Sequence, residues 1–308
     1  MKEELEPIKD VKIKPDLRLR DLIEVYRSVH GFMAGHIARA ADILQEMVRE
    51  ADLRILTFTA NIVATGLRGV LAQLIEKKVF NVVITTCGAV DHDIARSYGG
   101  RYYKGYFEAD DLKLYDEGFH RLGNIYIPLE SYGPLIEKVV YSLLDEITKT
   151  RQRWGVRELL HELGRRIRDE NSILRAAAVN NVPIYVPGYI DGAFGTALFT
   201  YSRTHRFDMD LFKDEQEIAD LVFKAKKLGA LIIGGGISKH HAIWWAQFSE
   251  GLDYAVYVTT AVEWDGSLSG AHPREAITWG KIKREGRHVY IFSDATVVVP
   301  ILASVLIS

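Results

Sequence analysis

The first regular pattern along the chain is helical. From residue 21 to residue 51, apolar side chains recur every three or four positions, which is typical of amphipathic helices. Gly31 and Gly35 interrupt this pattern, so it predicts two helices rather than one. Residues 1–20 instead mix Lys, Asp, Glu and Pro with scattered Leu and Ile. They predict an extended N-terminal arm, which in the simplest interpretation is a mobile tail.

Beyond residue 51, patterns of buried strands alternate with helical ones. The strand patterns are short apolar runs at 54–59, 81–86, 124–128, 182–187, 229–233, 254–260 and 288–292. Helical patterns lie at about 62–78, at 135–168 with a break near Gly155, at 214–227 and at the C-terminus. This alternation predicts an α/β fold with a doubly wound, mostly parallel sheet, and a single domain over residues 21–308.

The composition is that of an ordinary globular protein. Of the 308 residues, 48% are hydrophobic and 26% are charged, which is enough apolar material for a large core. The formal net charge of −2 gives no electrostatic reason to expect a nucleic acid partner. The single cysteine, Cys87, excludes an internal disulfide and fits a reducing compartment. Without a signal-peptide core or an apolar run of about 18 residues, we expect a cytoplasmic protein with no membrane partner.

The segment 263–281 concentrates polar residues after a predicted buried strand, which is where α/β proteins place their chemistry. Its Gly, Ser and Asp residues predict a loop, and Pro273 predicts the first turn of a helix. Packing beside the indole of Trp279 would penalise the ammonium form of Lys281 and leave a nucleophilic amine. Alternatively, Lys281 is a solvated lysine at a helix end. Glu275 is too far along the chain to share a helix face with Lys281, but it could bind a cationic substrate or move a proton.

Several strand patterns end in small or polar residues. The carboxyl ends of parallel strands open along one edge of a sheet, where small residues admit a ligand and helix N-termini offer amide hydrogens to phosphate. This architecture is expected for a dinucleotide, although the Gly-x-Gly-x-x-Gly fingerprint is absent. Taken singly, each glycine is more often a requirement of a turn or helix. These strand ends lie at 59–61, 86–88, 191–192, 234–236, 260–261 and 294–295.

Two further groups of polar residues leave alternatives open. Lys239, His240 and His241 follow a triple glycine at a predicted helix start. Adjacent histidines point apart on a helix and make a poor metal pair, so we expect no metal site there. On its own, His240 is equally well explained as a buried, hydrogen-bonded histidine. Asp91 and Asp93 either cap a helix N-terminus or contact a substrate.

A resemblance to a known family rests on four segments. These are 234–241, 253–257, 265–267 and 275–281, and together they resemble deoxyhypusine synthase. The resemblance extends from about residue 31 to the C-terminus. It implies a Rossmann-like, NAD-binding aminobutyltransferase that moves the 4-aminobutyl group of spermidine, through an imine on Lys281, to a lysine of the precursor of translation initiation factor five A. It also implies a homotetramer with sites between paired subunits, in which the N-terminal arm packs on a neighbour.

The resemblance implies roles for individual positions. The catalytic residues would be Lys281, His240, Glu275 and Trp279, and the substrate contacts Asp91, Tyr257, Gly266, Ser267 and Glu275. The NAD contacts would be Ala60, Asn61, Ile62, Val63, Ala64, Thr86, Cys87, Gly88, Asp191, Gly235, Thr260, Ala261, Asp265, Asp294 and Ala295. Among these we interpret Cys87 as a small backbone contact rather than a nucleophile, and Asp294 as a partner for ribose hydroxyls.

The chain departs from the family at the positions that bind the amine. The replacements are Thr196 and Leu268 for two acids, Trp244 for an asparagine, and Asp91-His92 for an acidic pair. A buried ammonium without a carboxylate partner is strongly disfavoured. Glu275, Asp91 or Asp93 would therefore replace the missing acids, or the amine donor differs. Two alternative functions follow: a homospermidine-type synthase with a small amine as acceptor, and a catalytically silent NAD-binding subunit.

Overall fold

A six-stranded parallel sheet forms the centre of the protein. The structure, a computed structural model, describes residues 6–307. Its strands are β1 Leu53–Phe58, β2 Val82–Ile84, β3 Tyr103–Lys104, β4 Phe119–Leu122, β5 Ile125–Pro128, β6 Arg153–Trp154, β7 Ile184–Tyr185, β8 Asp208–Met209, β9 Leu228–Ile233, β10 Leu252–Thr259 and β11 Ile282–Phe292. Its α-helices are α1 Leu22–Val29, α2 Met33–Glu50, α3 Ala60–Val63, α4 Leu67–Glu76, α5 Cys87–Ser97, α6 Asp111–Asp116, α7 Gly133–Ile147, α8 Val156–Arg166, α9 Ile173–Asn180, α10 Ala193–Ser202, α11 Lys213–Lys224, α12 Gly236–Ala246, α13 Pro273–Thr278 and α14 Ala295–Leu306.

The order of the strands creates a crevice in the middle of the sheet. The order is β7-β2-β1-β9-β10-β11, and every pairing within this sheet is parallel. The chain first adds strands on one side of β1 and then returns to add β9, β10 and β11 on the other side. This is the doubly wound order in which a dinucleotide binds at the reversal, beyond the carboxyl ends of the two central strands. The predicted fold class is therefore confirmed, and β1 and β9 flank the crevice.

Strand residues alternate between two apolar layers, one on each face of the sheet. Leu56 and Phe58 of β1 belong to the core cluster that includes residues of α2, α4 and α14. Ile55 of β1 and Ile232 of β9 belong to the other cluster, with residues of α11, α12 and α13. Because helices cover both faces, the central strands are apolar throughout, and this explains the continuous apolar runs in the sequence.

A buried ionic network ties α4, α5 and α9 together. Asp93 is 1% exposed, and its carboxylate accepts hydrogen bonds from Arg68 (Nε, 2.5 Å), Ser172 (Oγ, 2.7 Å) and the backbone N–H groups of Ile173 and Leu174. It thus satisfies free N–H groups at the start of α9, as an N-terminal cap does, but from a different helix. Of the two interpretations of Asp93, helix capping is correct.

The helix predictions from the sequence hold in most of the chain. The predicted break at Gly31 separates α1 from α2, whereas Gly35 lies within the first turn of α2 and does not interrupt it; the break near Gly155 separates α7 from α8. The sequence patterns did not reveal α6, α9 or α10, and of the small antiparallel sheet β3-β5-β4 they predicted only β5. All of these elements are short. α6, β3 and β4 are largely exposed and have few apolar residues, whereas α9 and α10 are apolar around most of their surface, so neither group shows a clear period.

The N-terminal segment has little regular structure as far as it is described. Residues 6–18 form no helix or strand and are largely exposed, and a short 3-10 helix spans Leu19–Asp21. The predicted arm covers residues 1–20, of which 1–5 lie outside the described part. Of the helices within residues 6–307, none is both long and apolar enough to cross a bilayer.

Replacing Asp93 by Ala should destabilise the fold strongly. The substitution would leave the buried Arg68 guanidinium without one carboxylate and the first amides of α9 without acceptors, a loss of about 3–5 kcal/mol in the free energy of unfolding. Urea denaturation followed by circular dichroism would measure it. Asp116→Ala, at an exposed position on α6, is the matched control and should change stability by less than about 0.5 kcal/mol. Equal stabilities of the two variants would contradict this role of Asp93.

Candidate active site

The loops after β1, β2 and β9 meet at the crevice. Gly234, which follows β9, has φ +87°, and a Cβ there would lie 2.8 Å from Oγ1 of Thr59 after β1. A Cβ on Gly88, after β2, would lie 2.9 Å from the Cβ of Ala60. A side chain at either position would collide with the adjacent loop, so only glycine allows the backbones of these loops to approach each other this closely. Three of the predicted nucleotide-binding strand ends are thereby brought together.

Two features of these loops are suited to a ligand. The hydroxyl of Thr86, just before α5, is buried and has no hydrogen-bond partner among the described residues. A buried polar atom without a hydrogen-bond partner destabilises the protein unless a ligand or a water molecule forms that hydrogen bond. The backbone amides at the starts of α5 and α12 also face the carboxyl edge of the sheet, as helix N-termini do in phosphate sites.

Asp91 lies beside the crevice but is fully engaged in holding α10. Its carboxylate accepts from the backbone N–H groups of Ala193 (2.9 Å) and Phe194 (2.7 Å) and from the hydroxyl of Tyr132 (3.1 Å). Asp91 is 1% exposed, and burial raises the pKa of its carboxyl group against the effect of these hydrogen bonds. In this arrangement Asp91 is a cap for a neighbouring helix, which corrects the prediction that it contacts substrate.

Cys87 and Asp191 are brought together at the same edge. A Cβ on Gly192 would lie 2.7 Å from the Sγ of Cys87, so the loop after β7 packs directly on the start of α5. Burial, with the charges of Asp91 and Asp191 contributing, raises the pKa of Cys87 to about 12. The thiol is 2% exposed and uncharged, in agreement with its interpretation as an unreactive small residue.

The other predicted nucleotide positions are more varied in their surroundings. Ile62, Val63 and Ala64 are buried in the core, so their side chains are unavailable to a ligand. Asn61 is exposed and accepts a hydrogen bond from the Thr59 hydroxyl (2.6 Å). The remaining positions lie at strand ends and loops nearer the β10–β11 side of the sheet: Gly235, Thr260, Ala261, Asp265, Asp294 and Ala295. Asp294 is exposed and caps α14 through Thr296, which leaves one carboxylate oxygen free.

A second pocket, of about 240 Å³, lies between α12, α13 and the loop that precedes α13. Of the residues predicted for catalysis and substrate binding, His240, Tyr257, Gly266, Glu275, Trp279 and Lys281 all line it. Ser267 is exposed and does not line it; its backbone N–H donates to Asp265 instead. The sequence therefore predicted most of this pocket, although its residues come from three separate segments.

Lys281 is held by the turn that ends α13. The N–H of Lys281 donates to the carbonyl of Ala276 (2.9 Å), and the N–H of Gly280 donates to that of Ile277 (3.0 Å). With Gly280 at φ +68°, these bonds form a Schellman motif, which places the lysine immediately before β11. The carbonyl of Lys281 then accepts from Leu252 (3.1 Å), the first residue of β10. Both ends of this residue are thus anchored.

The amine of Lys281 is out of bulk water. The residue is 8% exposed, so the interpretation as a solvated helix-end lysine is wrong. Its Nζ lies 5.2 Å from the ring centre of Trp279 and 5.9 Å from that of Trp244. The His240 imidazole stacks on Trp244, with ring centres 5.6 Å apart and planes at 21°. Burial, followed by the charge of Lys281, lowers the pKa of His240, so its imidazole is neutral near pH 7.

Lys239 is a pocket residue that the sequence did not reveal as functional. It is 1% exposed, and its Nζ donates to the carbonyls of Leu268 (2.7 Å) and Ala271 (2.8 Å) while lying 4.4 Å from the ring centre of Tyr257. Burial lowers the pKa of Lys239 to about 8, and the attraction of Glu275 opposes this shift. Lys239 therefore fixes the loop that forms one wall of the pocket. Its position next to His240 was the only signal in the sequence.

The end of the pocket near Glu275 is polar and contains a hydroxyl group without a hydrogen-bond partner. Tyr257 is 1% exposed, and its hydroxyl has no hydrogen-bond partner among residues 6–307. Burial raises the pKa of that hydroxyl, and the negative charge of Glu275 adds to the effect. An unpaired hydroxyl near a carboxylate is an arrangement that can receive a ligand with hydrogen-bond donors, such as an amine.

His241 points away from His240, as two adjacent helical residues should. Its Nε2 lies 3.6 Å from the carboxylate of Glu215 on α11, and burial lowers the pKa of His241 to about 4. Within residues 6–307, no group of three or more His, Cys, Asp or Glu side chains is placed to hold a metal ion.

Comparison with known proteins identifies relatives over nearly the whole chain. A sequence model of the deoxyhypusine synthase family matches residues 21–306. A relative from Ignicoccus hospitalis, named "Probable deoxyhypusine synthase", is 56% identical over 302 residues, which cover 96% of this chain and 94% of that protein. Another of the same name, from Aeropyrum pernix, is 55% identical and covers 98% of this chain and 99% of that protein.

Solved structures share the fold at low sequence identity. An Entamoeba histolytica protein, described provisionally as a deoxyhypusine synthase, matches with a TM-score of 0.65 at 20% identity, covering 97% of this chain and 96% of that chain. AgrE, crystallised as a ternary complex with ornithine and NAD+, matches with a TM-score of 0.51 at 14% identity, covering 96% of this chain and 34% of that chain. At these identities, both matches show only that the fold is shared.

The buried thiol of Cys87 should resist alkylation. With the pKa of Cys87 at about 12, little thiolate forms at pH 8, and the thiolate is the species that reacts. We expect iodoacetamide to modify the native protein at least about 100-fold more slowly than a free thiol at that pH. Protein unfolded in guanidinium is the control and should react fully, with one adduct per chain by mass spectrometry. Rapid labelling of the native protein would contradict the inert assignment.

Proposed function

The chain belongs to the deoxyhypusine synthase family, and from that membership we propose that it transfers the 4-aminobutyl group of spermidine to a lysine of the precursor of translation initiation factor five A. NAD is the proposed cofactor, and Lys281 is the proposed carrier of the transferred group. The observation that carries this proposal is the position of Lys281: a buried amine, anchored by its backbone, in a pocket with His240 and Glu275.

The residues of the central crevice fit an NAD molecule. The strand order provides the reversal at which dinucleotides bind. The glycines at 88, 234 and 235 allow backbone approach, and the unpaired hydroxyl of Thr86 can bond to a ligand. We propose that the backbone from Ala60 to Ala64 and the strand-end residues up to Asp294 and Ala295 complete the contacts. Bound NAD would accept a hydride from the carbon next to the scissile nitrogen of spermidine and return it at the end of the reaction.

Lys281 acts as a nucleophile in this proposal. Oxidation of a C–N bond of spermidine yields an imine, and the Lys281 amine adds to the imine carbon. The original C–N bond then breaks, 1,3-diaminopropane leaves, and the four-carbon group remains on Lys281 as a new imine. The amine of the acceptor lysine displaces Lys281 at the same carbon. Return of the hydride to this carbon completes the transfer, so the two electrons removed at the start are restored.

Proton movements in these steps are assigned to His240, and attraction of the donor's positive charge to Glu275. Each exchange of one amine for another takes a proton from the attacking nitrogen and gives one to the leaving nitrogen. The neutral imidazole of His240 can accept such a proton, because burial and the nearby Lys281 lower its pKa. Glu275 carries the only carboxylate among the described residues that line the pocket, and we assign it to attracting an ammonium group of the donor.

The proposed assembly is a homotetramer that completes the site. Trp279 is 66% exposed although it lies beside Lys281, and imines need protection from water. A neighbouring subunit over this indole would supply that protection. Phe32, in the turn between α1 and α2, is 96% exposed and is a further aromatic residue suited to a subunit contact. We propose that the arm at residues 1–20 also packs on a neighbour, with residues 21–308 as the catalytic domain.

A second candidate is transfer to a small amine, as in a homospermidine-type synthase. Leu268 lines the pocket where the family has an acid, and Thr196 is exposed on the first turn of α10 with its hydroxyl bonded to the carbonyl of Gly192. These replacements alter the charge available to bind amines. The products distinguish the two functions: labelled spermidine labels the protein factor in one case, and added putrescine in the other.

The covalent role of Lys281 can be tested by trapping. With NAD and spermidine present, borohydride should reduce the imine and leave a stable adduct on Lys281, detected by mass spectrometry. Lys281→Arg keeps the charge but removes the nucleophile, so adduct formation and transfer should fall at least about 1,000-fold.

The control for this variant is Lys283→Arg, two residues further along β11, where the Nζ is paired with Asp253. This variant should retain both the adduct and the transfer. Undiminished transfer by Lys281→Arg would contradict the mechanism. NAD binding without any adduct in the unmodified protein would favour the silent, NAD-binding subunit instead.

The Thr86 hydroxyl can be tested by an isosteric change. Thr86→Val removes a buried hydroxyl that has no partner, so the NAD-free protein should be equally or more stable, by up to about 1 kcal/mol. The same change should weaken NAD binding about fivefold in calorimetric titration, because one hydrogen bond is lost. Thr57→Val is the matched control: its hydroxyl is also buried and unpaired, but lies within β1. Equal NAD affinities of all three proteins would contradict the assignment of Thr86.

A further inference from the structure

A cleft of about 320 Å³ lies beyond β7, the strand at one edge of the central sheet. Its walls come from α8, α9 and α11 and from residues 181–185, and it shares no residue with the lysine pocket. This volume is at the lower end of the roughly 300–1,000 Å³ range of small-molecule sites. The protein therefore has a second cavity of ligand size, and the proposed transfer reaction makes no use of it.

The inner walls of this cleft are aliphatic. Six of the lining side chains, each 2–6% exposed, are Leu160, Leu174, Ala177, Ala178, Val182 and Ile184. They belong to α8, to α9 and to the segment that enters the sheet at β7. Such walls favour a ligand with an alkyl part, because contact with them removes apolar surface from water.

The two carboxylates that line the cleft already have hydrogen-bond donors within the chain. Glu217 accepts from the Nε of Arg157 (2.8 Å) and from the hydroxyl of Tyr185 (3.3 Å). Asp220 accepts from the side-chain amide of Gln216 (3.2 Å). A cationic ligand would have to compete with these donors, so the carboxylates give no strong reason to expect one.

The lysines at the mouth of the cleft have no such partners. Lys224 lines this cleft and also an adjoining one of about 450 Å³, to which Lys226 contributes. The carboxylate of the adjoining cleft, Asp52, accepts from the backbone N–H groups of Lys226 (3.0 Å) and Lys227 (3.1 Å). No salt bridge or side-chain hydrogen bond within residues 6–307 involves the ammonium group of Lys224 or Lys226, and both residues are exposed. Two unpaired ammonium groups beside an aliphatic cleft favour an anionic group on the ligand.

We propose that the cleft beyond β7 binds a small amphipathic anion, an alkyl chain with a carboxylate or phosphate end group. The alkyl chain lies between α8 and α9, and the anionic group lies at Lys224 and Lys226. Only a molecule with both parts uses the aliphatic walls and the unpaired ammonium groups together. The site is separate from the lysine pocket, so this inference goes beyond the proposed transfer reaction and does not depend on it.

Four probes with the same alkyl chain test the head group: octanoate, octyl phosphate, octylamine and octanol. In calorimetric titration, at least one of the two anions should bind at least about tenfold more tightly than octylamine and octanol, because only an anion is attracted by the free lysines. The tighter of the two anions identifies the end group. Its affinity should fall as ionic strength rises, since both lysines are exposed to solvent.

Two substitutions place the ligand in this cleft. Lys224→Glu reverses a charge at an exposed position and should weaken binding of the preferred anion at least about tenfold. Ala177→Met places a flexible side chain into the aliphatic part and should weaken it at least about fivefold. Lys149→Glu, at an exposed position just after α7 and outside both clefts, is the matched control and should leave the affinity unchanged.

Three results would overturn the proposal. The first is the absence of binding heat for both anions at concentrations up to about 10 mM. The second is equal affinity for the anions and for octylamine, because the lysines would then have no part in recognition. The third is an affinity that Lys224→Glu and Lys149→Glu change equally, because the ligand would then lie elsewhere. Circular dichroism of each variant without ligand verifies that it is folded before it is titrated.

Discussion

The exclusion of water from one amine is the constraint on which the proposed chemistry depends. A lysine attacks a carbon–nitrogen double bond only as the neutral amine, and the resulting imine hydrolyses if water reaches it. The turn Trp279-Gly280-Lys281 positions this amine with three residues. Gly280, at φ +68°, ends α13 in a Schellman motif, and this geometry buries Lys281 at the start of β11. The same turn leaves the indole of Trp279 beside the amine. A local rule of helix termination thereby sets the position of the proposed nucleophile.

The crevice and the lysine pocket are joined by α12. Gly235 and Gly236 begin this helix at the central crevice, and a Cβ on Gly235 would collide with Ser269 in the loop before α13. His240 lies one turn further along the helix and reaches the pocket. One short helix therefore connects the proposed nucleotide site to the proposed covalent site. This adjacency is what a reaction that moves hydride and carries a group on lysine requires.

Buried carboxylates beside the crevice serve the fold. Asp91 and Asp93 satisfy the free N–H groups of α10 and α9, and the guanidinium of Arg68 lies within the second of these clusters. Their oxygens are occupied in the described chain, so neither is placed to replace the acids that the family uses for amine binding. Within the lysine pocket, we propose that function for Glu275, the only carboxylate among the described lining residues. This division explains how an acidic segment can follow a strand of the sheet without forming part of the pocket.

The sequence by itself determined the doubly wound fold, the strand ends at the crevice and most of the lysine pocket, because these depend on local signals: apolar runs, glycines at turns, and short segments with a recognisable order of residues. It did not determine what Asp91 does, that Lys239 anchors the loop before α13, or that Trp244 lies near Lys281. Each of these depends on a contact between segments far apart in the chain. A carboxylate that caps a helix a hundred residues away has no periodicity or spacing of its own, so only the tertiary structure could decide its role.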